Sequence, residues 1–406
     1  MTRHTAPEIA IVGAGIGGLT AAMALTRRGL RAQVYEQAPV LREVGVGLHL
    51  APNGSRILHR FGLAEQLREA AVRPEALEVR RWNDGQVLTR RRMGDVWETE
   101  FGGPHYTMHR ADLHGLLAER LPAGSLRLGS RCTGHTEDAD GVELRFADGS
   151  TARADVLIGA DGVNSLVRGA VAGGRDLLVP TGTCAVRGLV DMNRLPRLDP
   201  EDMYVWAGPG GRMLTAPVSG GRQLSFVAVI PENDDEQQRE SWSRPAELDL
   251  VAKAFQGWDP TVQELVDAAG EAGHWSLRDR DPLDRWSTPR TTLLGDAAHP
   301  MLPHHGQGAS QAIEDAVVLA ACLAEAGGSR RQDIAAALHR YETVRLAHTA
   351  QVQLGSRDSG SQRLGGGPAG PQPRNQSGQE MKALVADTSW IQRHDAEAAL
   401  AAQPAA

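Results

Sequence analysis

The stretch IAIVGAGIGGLTAAMALTRRGLRAQVYE, residues 9–36, predicts a strand, a helix and a second strand in immediate succession. Residues 9–12 form a short apolar run, which is typical of a buried strand. Apolar residues then recur at helical spacing as far as Gly29, whose lack of a side chain suits the end of a helix. A second apolar run, residues 32–35, completes a βαβ unit.

The glycines between the first strand and the helix have the spacing GxGxxG. Gly13 permits the tight turn, Gly15 lets the backbone approach a pyrophosphate, and Gly18 lets the helix pack closely on the strand. The helix N-terminus adds unpaired N–H groups and a partial positive charge. Glu36 ends the second strand, ~20 residues after the motif, where an acidic side chain binds ribose hydroxyls. The pattern predicts a dinucleotide site without distinguishing FAD from NAD.

Composition limits the class of protein. The chain has 406 residues, a formal net charge of −7 and 41% hydrophobic residues, which is typical of a soluble globular protein and argues against nucleic-acid binding. No apolar run reaches the ~18–20 residues of a membrane span, and the N-terminus lacks the pattern of a signal peptide. Widely spaced cysteines predict neither disulfides nor a metal site, and favour a cytoplasmic location. They are Cys132, Cys184 and Cys322.

The α/β pattern is interrupted twice by segments with short alternating strands and many turns. The interruptions predict a second, β-rich substrate-binding lobe inserted into a Rossmann-like nucleotide-binding lobe. The last part of the chain is rich in Gly, Pro, Ser and Gln, so a flexible loop before a C-terminal helix is expected. The predicted divisions are 1–75, 105–170 and 285–350 for the nucleotide-binding lobe, 76–104 and 171–284 for the substrate lobe, and 351–406 for the C-terminal segment.

Two further motifs follow apolar strands. DVLIGADGVNSLVR, residues 155–168, contains an Asp-Gly pair, and TTLLGDAAHPMLP, residues 291–303, contains a Gly-Asp pair. Each alone is also an ordinary turn. The order GxGxxG, HRADL (residues 109–113), DG, GD resembles the flavoprotein aromatic hydroxylases of the para-hydroxybenzoate hydroxylase fold. AVRGLV and YETVR add to this likeness, which is greatest to salicylate, 3-hydroxybenzoate and 6-hydroxynicotinate hydroxylases.

The resemblance implies a fold and a cofactor site. The expected fold is a Rossmann-like FAD-binding lobe of the GR2 type, an inserted β-sheet substrate lobe and a C-terminal helical segment. Positions matching the family assign FAD contacts to Asp161, which would also contact the nicotinamide, and to Asp296, Arg110 and the backbone of Ala309. Cys132 is expected on the strand beside the adenine, and Arg42 is a further candidate for FAD or phosphate.

The resemblance also implies a reaction. Such enzymes reduce bound FAD with NADH or NADPH, trap O2 as a flavin C4a-hydroperoxide and transfer one oxygen to an aromatic or heteroaromatic ring. The helix expected to begin near Gly308 would stabilise negative charge on the reduced flavin with its N–H groups and dipole. An electron-rich ring requires ionisation of a phenol or hydroxypyridine, which a histidine can assist.

Four histidines are weighed as that base. His304, after Pro303, is the favoured candidate, and His49 the second, since 6-hydroxynicotinate-type enzymes carry a histidine at the matching place. His305 is expected to turn outward. His299 is expected to support its own turn through the backbone.

One position departs from the family pattern. Ala216 precedes Pro217, where many relatives carry Tyr, which suggests a larger or less polar substrate. Signatures of flavin halogenases and Baeyer–Villiger enzymes are absent. An epoxidase or reductase of the same fold, or a non-catalytic flavin-binding resistance or carrier protein, remains an alternative. The substrate and the oligomeric state are left open, a homodimer being one option.

Overall fold

The computed structural model describes residues 6–41, 46–173, 178–232, 243–326, 330–363 and 387–403.

A five-stranded parallel sheet lies at the centre of the first lobe. From edge to edge its strands are β18 (Thr291–Leu293), β11 (Val156–Gly159), β1 (Ile9–Val12), β2 (Ala32–Tyr35) and β7 (Leu126–Arg127). Helix α1 (Ile16–Arg27) connects β1 to β2 and packs against α9 (Gly308–Glu325). The strands β1, β11 and β18 end at the same edge of the sheet, because parallel strands share one direction. Three distant sequence segments therefore meet there.

The second lobe is built on an eight-stranded sheet. In spatial order its strands are β16 (Ser243–Pro245), β17 (Ala272–Asp279), β12 (Val179–Asp191), β15 (Gln223–Pro231), β14 (Gly211–Val218), β13 (Asp202–Gly208), β4 (Ala76–Arg81) and β5 (Val87–Arg92). Strands β4 and β13 run parallel, whereas the other neighbours are antiparallel. The two strands from residues 76–92 thus extend a sheet that is otherwise formed after residue 178.

Two small sheets and the remaining helices complete the described chain. The small sheets pair β3 (Gly47–Leu50) with β6 (Tyr106–His109), and β9 (Val142–Phe146) with both β8 (Cys132–Glu137) and β10 (Thr151–Ala154). The other helices are α2 (Pro52–Arg60), α3 (Ala64–Ala70), α4 (Gly94–Phe101), α5 (Arg110–Ala118), α6 (Leu166–Ala172), α7 (Leu248–Ala254), α8 (Pro260–Ala268), α10 (Arg331–Arg363), α11 (Ser389–Arg393) and α12 (Ala396–Ala401).

The eight-stranded sheet buries both of its faces. One face packs with α7 and α8 around Trp206, Phe226 and Phe255. On the other face, Ala185 and Val229 pack against Leu302, which belongs to the loop between β18 and α9. The second face therefore meets the first lobe at the N-terminal end of α9, and the polar side chains on that face line the junction.

The structure differs from the sequence expectations in two helices. The sequence after β3 predicts one helix over residues 55–71, but the structure has two, α2 from Pro52 and α3 from Ala64, because the chain breaks at Gly62, whose φ is +82°. Helix α10 continues to Arg363, beyond the boundary predicted at residue 350 and into the expected flexible loop. Tertiary contacts outweigh the Gly- and Ser-rich composition there: Ser356 donates a hydrogen bond to the carbonyl of Leu302.

Candidate active site

The glycine motif forms an open turn at the end of β1. Gly13 has φ +103°, and a methyl group added to it would lie 2.3 Å from the carbonyl oxygen of Ala160. A methyl group on Gly18 would lie 2.0 Å from the carbonyl of Gly13. By contrast, a methyl group on Gly15 would have no atom within 4 Å. Gly13 and Gly18 are therefore required by the fold itself, whereas Gly15 borders open space at the start of α1.

Glu36 ties this turn to the end of β2. Its carboxylate accepts hydrogen bonds from the backbone N–H of Ala14 (2.9 Å) and of Ala38 (2.8 Å). His114 of α5 donates from Nε2 to the carbonyl of Ala14 over 2.6 Å. The acidic side chain predicted to bind ribose thus lies directly beside the glycine turn.

Asp161 occupies the loop between β11 and α6. Its carboxylate accepts hydrogen bonds from the Ser165 hydroxyl and from the backbone N–H groups of Leu166 and Val167. Burial raises its pKa above the usual value for an aspartate, although these hydrogen bonds act in the opposite direction. The side chain is therefore held firmly at the N-terminus of α6.

Cys132, at the start of β8, lies close enough to Asp161 for the Asp161 charge to affect its thiol. Burial raises the pKa of the Cys132 thiol, and the Asp161 carboxylate raises it further. The thiol donates a weak hydrogen bond to the carbonyl of Gly134. Cys132 is thus a protonated, unreactive side chain of the nucleotide-binding lobe.

Asp296 follows β18 and lies at the N-terminus of α9. A methyl group on Gly308 would lie 3.8 Å from its Oδ1, and the Asp296 side chain is exposed. The side chain of the cap residue Gln307 accepts no hydrogen bond from the backbone N–H groups of the helix, and Gly308 and Ala309 are partly exposed. Several N–H groups of the first turn of α9 are therefore available to an electron-rich partner.

Arg168 holds the DG and GD motifs in one arrangement. It belongs to α6 and is buried, and its Nη1 donates hydrogen bonds to the carbonyls of Ala297 (3.0 Å) and Ala298 (2.7 Å). Arg110 begins α5, with a partly exposed side chain. Arg42 lies outside the described residues.

These residues fit an FAD molecule. The open space over Gly15 suits a pyrophosphate, and the Glu36 carboxylate beside it suits a ribose. The free N–H groups at Gly308 suit an electron-rich ring. When bound, FAD supplies two-electron redox chemistry and the activation of O2.

The loop before α9 carries the favoured histidine. Nη2 of Arg212, on β14, donates a hydrogen bond to Nδ1 of His304 over 2.5 Å. Arginine can only donate, so His304 carries its proton on Nε2. His305 faces α10 instead, with its Cε1 3.3 Å from the position of a methyl group on Gly355. The expectation that it turns outward is therefore wrong in detail, because the ring is half-buried against the helix.

His49 lies across from that loop, on β3. A methyl group on Gly306 would lie 3.4 Å from Cβ of His49, so His49 lies against the loop that carries His304. Nδ1 of His49 lies 3.3 Å from Nε2 of His105, a residue that precedes β6. Burial, and secondly the charge of Arg187, lower the pKa of His49 to about 4. His49 is therefore neutral at physiological pH.

Arg187, on β12, is a cation of this face that the motif search did not single out. Its Nε is buried and has no hydrogen-bond acceptor among the residues that the structure describes. The guanidinium lies 5.6 Å from the centre of the Trp275 ring. Burial, and then the charge of Arg110, lower the pKa of Arg187 to about 10, so it stays charged near neutrality.

Three site residues were thus missed by the sequence analysis: His105, Arg187 and Arg212. Arg187 stands in AVRGLV, which was used only as a family likeness, and Arg212 stands five residues before the Pro217 that was compared with relatives. Their position on one sheet face follows from pairing, since Arg187 is opposite Val227 and Arg212 is opposite Val229. Strand alternation in each segment was the signal that could have found them.

A buried ionic network supports α9 from behind. Arg345 of α10 is fully buried and contacts Asp315 through Nε (2.8 Å) and Glu314 through Nη1 (2.6 Å). His299 contacts the same Asp315 carboxylate over 2.6 Å, and its backbone N–H donates to the carbonyl of Gly295 over 2.8 Å, so it supports its turn through both the side chain and the backbone. The network fixes the loop that carries Asp296 relative to the helix.

No metal site is expected from the sequence, yet two groups of three metal-ligating side chains occur among the described residues. In the group of Cys184, Glu232 and His274, the carboxylate already accepts a hydrogen bond from Ser276 (2.6 Å). The group of Glu314, His348 and His394 lies beside the Arg345 guanidinium, whose positive charge opposes a cation. In both groups the carboxylate therefore already has a hydrogen-bond or ion-pair partner.

Within the described ranges, no helix combines the length and apolar character that a membrane crossing requires.

Comparison with known proteins agrees with this site. The family described as FAD binding domain matches residues 7–355. The chain is 45% identical over 370 residues to a 3-amino-4-hydroxybenzoate 2-monooxygenase of Streptomyces platensis, covering 91% of each chain. It is 40% identical to 6-hydroxynicotinate 3-monooxygenase of Bordetella bronchiseptica, covering 87% of this chain and 91% of the relative. A salicylate hydroxylase substrate complex matches with 31% identity and a TM-score of 0.83, covering 98% of this chain and 99% of the other.

One family assignment agrees with the fold, the glycine turn with Glu36, the DG and GD motifs, and the relatives. The resemblance stated from the sequence is confirmed, and so are the α/β fold class and the FAD cofactor. The electron donor typical of these enzymes is NADH or NADPH. The chain belongs to the FAD binding domain family and is an FAD-dependent monooxygenase that hydroxylates an aromatic or heteroaromatic small molecule.

Proposed function

We propose that the substrate is an aromatic acid that carries a ring hydroxyl, with 3-amino-4-hydroxybenzoate as the first candidate. The observation that carries this proposal is Arg187, a charged side chain whose buried Nε has no acceptor within the described part of the chain. A partly buried cation without a nearby counter-charge is costly, and a substrate carboxylate would relieve that cost. The names of the relatives from Streptomyces and Bordetella, which act on ring acids with a hydroxyl group, agree with it.

The surroundings of Arg187 suit an aromatic ring. Trp275 lies beside the guanidinium, and Ala216 lies in an apolar cluster with Met93 and Trp97. A carboxylate at Arg187 would leave the ring between this apolar cluster and the two histidines. Ala216 has a smaller side chain than the Tyr that many relatives carry at this position, which is the basis for expecting a larger substrate.

The two histidines have different roles in this proposal. A base must offer a lone pair, and the contact with Arg212 occupies Nδ1 of His304 and leaves Nε2–H as a donor. His304 would therefore donate a hydrogen bond to a substrate oxygen and stabilise its ionised form. His49, which is neutral at physiological pH, would accept the proton of the ring hydroxyl. The sequence alone favours His304 as the base, so this division reverses that preference.

The positive site also favours the ionised ring. Arg187 and Arg212 both project from the same sheet face, and the opposite charge of a phenolate is stabilised by nearby cations. An ionised hydroxyl donates electron density to the ring, which is the property that electrophilic hydroxylation requires. Substrate binding and activation would therefore use the same pair of arginines.

Kinetics of the FAD-loaded enzyme test the proposal. The panel contains 3-amino-4-hydroxybenzoate, 6-hydroxynicotinate, 3-hydroxybenzoate and a hydroxyquinoline carboxylate, with 2-aminophenol as the matched compound without a carboxylate. We expect an acid from this panel to stimulate NADH or NADPH oxidation, and 2-aminophenol to lose at least about 10-fold in kcat/KM through the missing ion pair. Equal activity on 2-aminophenol, or no response to any acid, would rule the proposal out.

The cytoplasm is the proposed location, since it supplies NAD(P)H and keeps thiols reduced. Its support is that Cys132, Cys184 and Cys322 form no disulfide in the described part of the chain.

A further inference from the structure

The first observation is the hydrogen bond between two imidazoles. Nδ1 of His49 lies 3.3 Å from Nε2 of His105, and the ring centres are 5.5 Å apart at an interplanar angle of 60°. The pairing of β3 with β6 brings them together, since Leu50 is opposite Tyr106, the residue after His105. Two neutral imidazoles can share this bond only if one donates and the other accepts.

The second observation is the environment of His105. It is 8% exposed, and its ring meets the Trp97 ring edge to face with centres 5.5 Å apart. Its Nδ1 is buried and has no hydrogen-bond partner within the described ranges. Burial, and then the neighbouring His49, lower the pKa of His105 to about 3, so the ring carries one proton. The only hydrogen bond found for His105 side-chain nitrogens in those ranges is therefore the one to His49.

These contacts leave two tautomer arrangements. If His105 donates from Nε2, Nδ1 of His49 accepts and its Nε2 keeps a proton, so His49 cannot act as a base there. If His49 donates from Nδ1, its Nε2 has a free lone pair. Only the second arrangement allows His49 to accept a proton from a substrate hydroxyl at Nε2.

We propose that His105 is a positioning residue that accepts the Nδ1 proton of His49 and so holds His49 in the tautomer that accepts the substrate proton. This inference rests on the proposed role of His49 as the base. In the step, the substrate O–H bond breaks, an N–H bond forms at Nε2 of His49, and the oxygen keeps the electron pair. His105 stabilises the imidazolium that results through the existing hydrogen bond.

The charge of Arg187 explains why this support is needed. It disfavours a positive charge on His49, in addition to the effect of burial. A neutral acceptor at Nδ1 shares that charge and moves part of it toward His105, away from the guanidinium. The titratable groups near His49 in the described chain are thus the Arg187 cation on β12 and the neutral His105 imidazole beside β6.

The test compares three substitutions in the FAD-loaded enzyme. His105→Gln keeps a hydrogen-bonding amide near the position of Nε2, whereas His105→Phe keeps a ring against Trp97 and removes both nitrogens. His59→Phe is the control, because His59 contacts the hydroxyl of Tyr106, the residue after His105, but lies outside the site. The wild type is measured beside them.

The first readout is the nitrogen-15 NMR spectrum of histidine side chains, with the His49 signals assigned by their loss in His49→Asn. We expect the Nδ1–H tautomer of His49 in the wild type, His105→Gln and His59→Phe, and a mixed or Nε2–H population in His105→Phe. An Nε2–H tautomer in the wild type would overturn the proposal without any variant. An unchanged tautomer in His105→Phe would also overturn it.

The second readout is hydroxylation of the best acid from the substrate panel. For His105→Phe we expect kcat to fall about 10-fold or more with KM within about twofold, and His105→Gln to recover most of the loss. Equal loss in the Gln and Phe variants would indicate a structural role and overturn the proposal. If the wild type hydroxylates none of the acids while the NMR result is as expected, the proposed substrate fails and the positioning role stands.

Discussion

Nη2 of Arg212 lies 2.5 Å from Nδ1 of His304, which joins a strand of the substrate lobe to the loop that precedes α9. Both side chains lie on the side of the sheet that faces the nucleotide-binding lobe. The contact orients the ring and places the His304 proton on Nε2. It also connects the two lobes at the site proposed for the aromatic substrate.

Removing Arg212 tests that contact. We expect Arg212→Met to lower kcat/KM for the hydroxylated acid by about 10-fold to 100-fold, because a charged hydrogen bond and a cation near the substrate are lost. Steady-state kinetics with product quantified by chromatography provide the measurement. Arg222→Met, an exposed position after β14, is the matched control and is expected to keep wild-type values. Wild-type kcat/KM in Arg212→Met would exclude this role.

The glycine turn gives a prediction that separates folding from cofactor binding. Gly15 has an extended backbone with φ −70°, and a side chain there meets no protein atom within 4 Å. Gly15→Val is therefore expected to lower FAD affinity by at least about 100-fold while shifting the Tm of the FAD-free protein by less than about 4 °C.

Gly13→Ala serves as the contrasting variant. Its added methyl group would lie 2.3 Å from the Ala160 carbonyl at a φ of +103°, so the fold itself should be destabilised. Flavin fluorescence titration and thermal unfolding give the two quantities. Tight FAD binding by Gly15→Val would show that the pyrophosphate does not approach this residue.

The buried ion network predicts a large loss of stability. Arg345→Leu leaves Glu314 and Asp315 without their buried counter-charge, which we expect to cost about 3–5 kcal/mol in the free energy of unfolding. Arg330→Leu is the surface control: its exposed pair with Asp333 should contribute at most about 1 kcal/mol. Urea unfolding of both variants provides the comparison. Equal losses in the two variants would contradict the assigned importance of the network.

Acid sensitivity follows from a neutral histidine on α10. Burial, then the charges of Arg345 and His394, lower the pKa of His348 to about 3. The unfolded chain takes up a proton on this residue below pH ~6.5, while the folded chain does not. Stability is therefore lost as pH falls from 6.5 toward 3, at up to about 1.4 kcal/mol per pH unit for this histidine.

His348→Leu should flatten that dependence between pH 6 and pH 4. His339→Leu, at an exposed position of the same helix, is the control and should keep the wild-type slope. Urea unfolding at several pH values measures the slope. An identical slope in His348→Leu and the wild type would mean that His348 is protonated in the folded protein.

The parts of the fold and of the site that the sequence predicts are those that depend on local motifs. Neighbouring residues determine the turn around Gly13, the placement of Glu36 and the strands before Asp161 and Asp296. The spacing of residues along the sequence is therefore enough to predict these features. The resemblance adds the family, its cofactor and the reaction. FAD contacts of individual residues stay predictions, as do the roles of the histidines.

The missed features depend on distant pairing. Arg212 and His304 are separated by 92 positions and His49 and His105 by 56, and no short motif records either contact. The extension of α10 was missed because its Gly- and Ser-rich part is stabilised by contacts with residues such as Leu302. The composition of this segment favours a loop, but packing against the rest of the folded chain stabilises a helix.

Isotope incorporation tests the central claim most directly. The FAD-loaded enzyme is supplied with NADH or NADPH, the best acid of the panel and ¹⁸O2, and the product mass is measured. We predict a ring-hydroxylated acid that contains one ¹⁸O atom and forms in proportion to the NAD(P)H consumed. A product whose new oxygen derives from water, or NAD(P)H oxidation that yields only hydrogen peroxide with every panel acid, would contradict it.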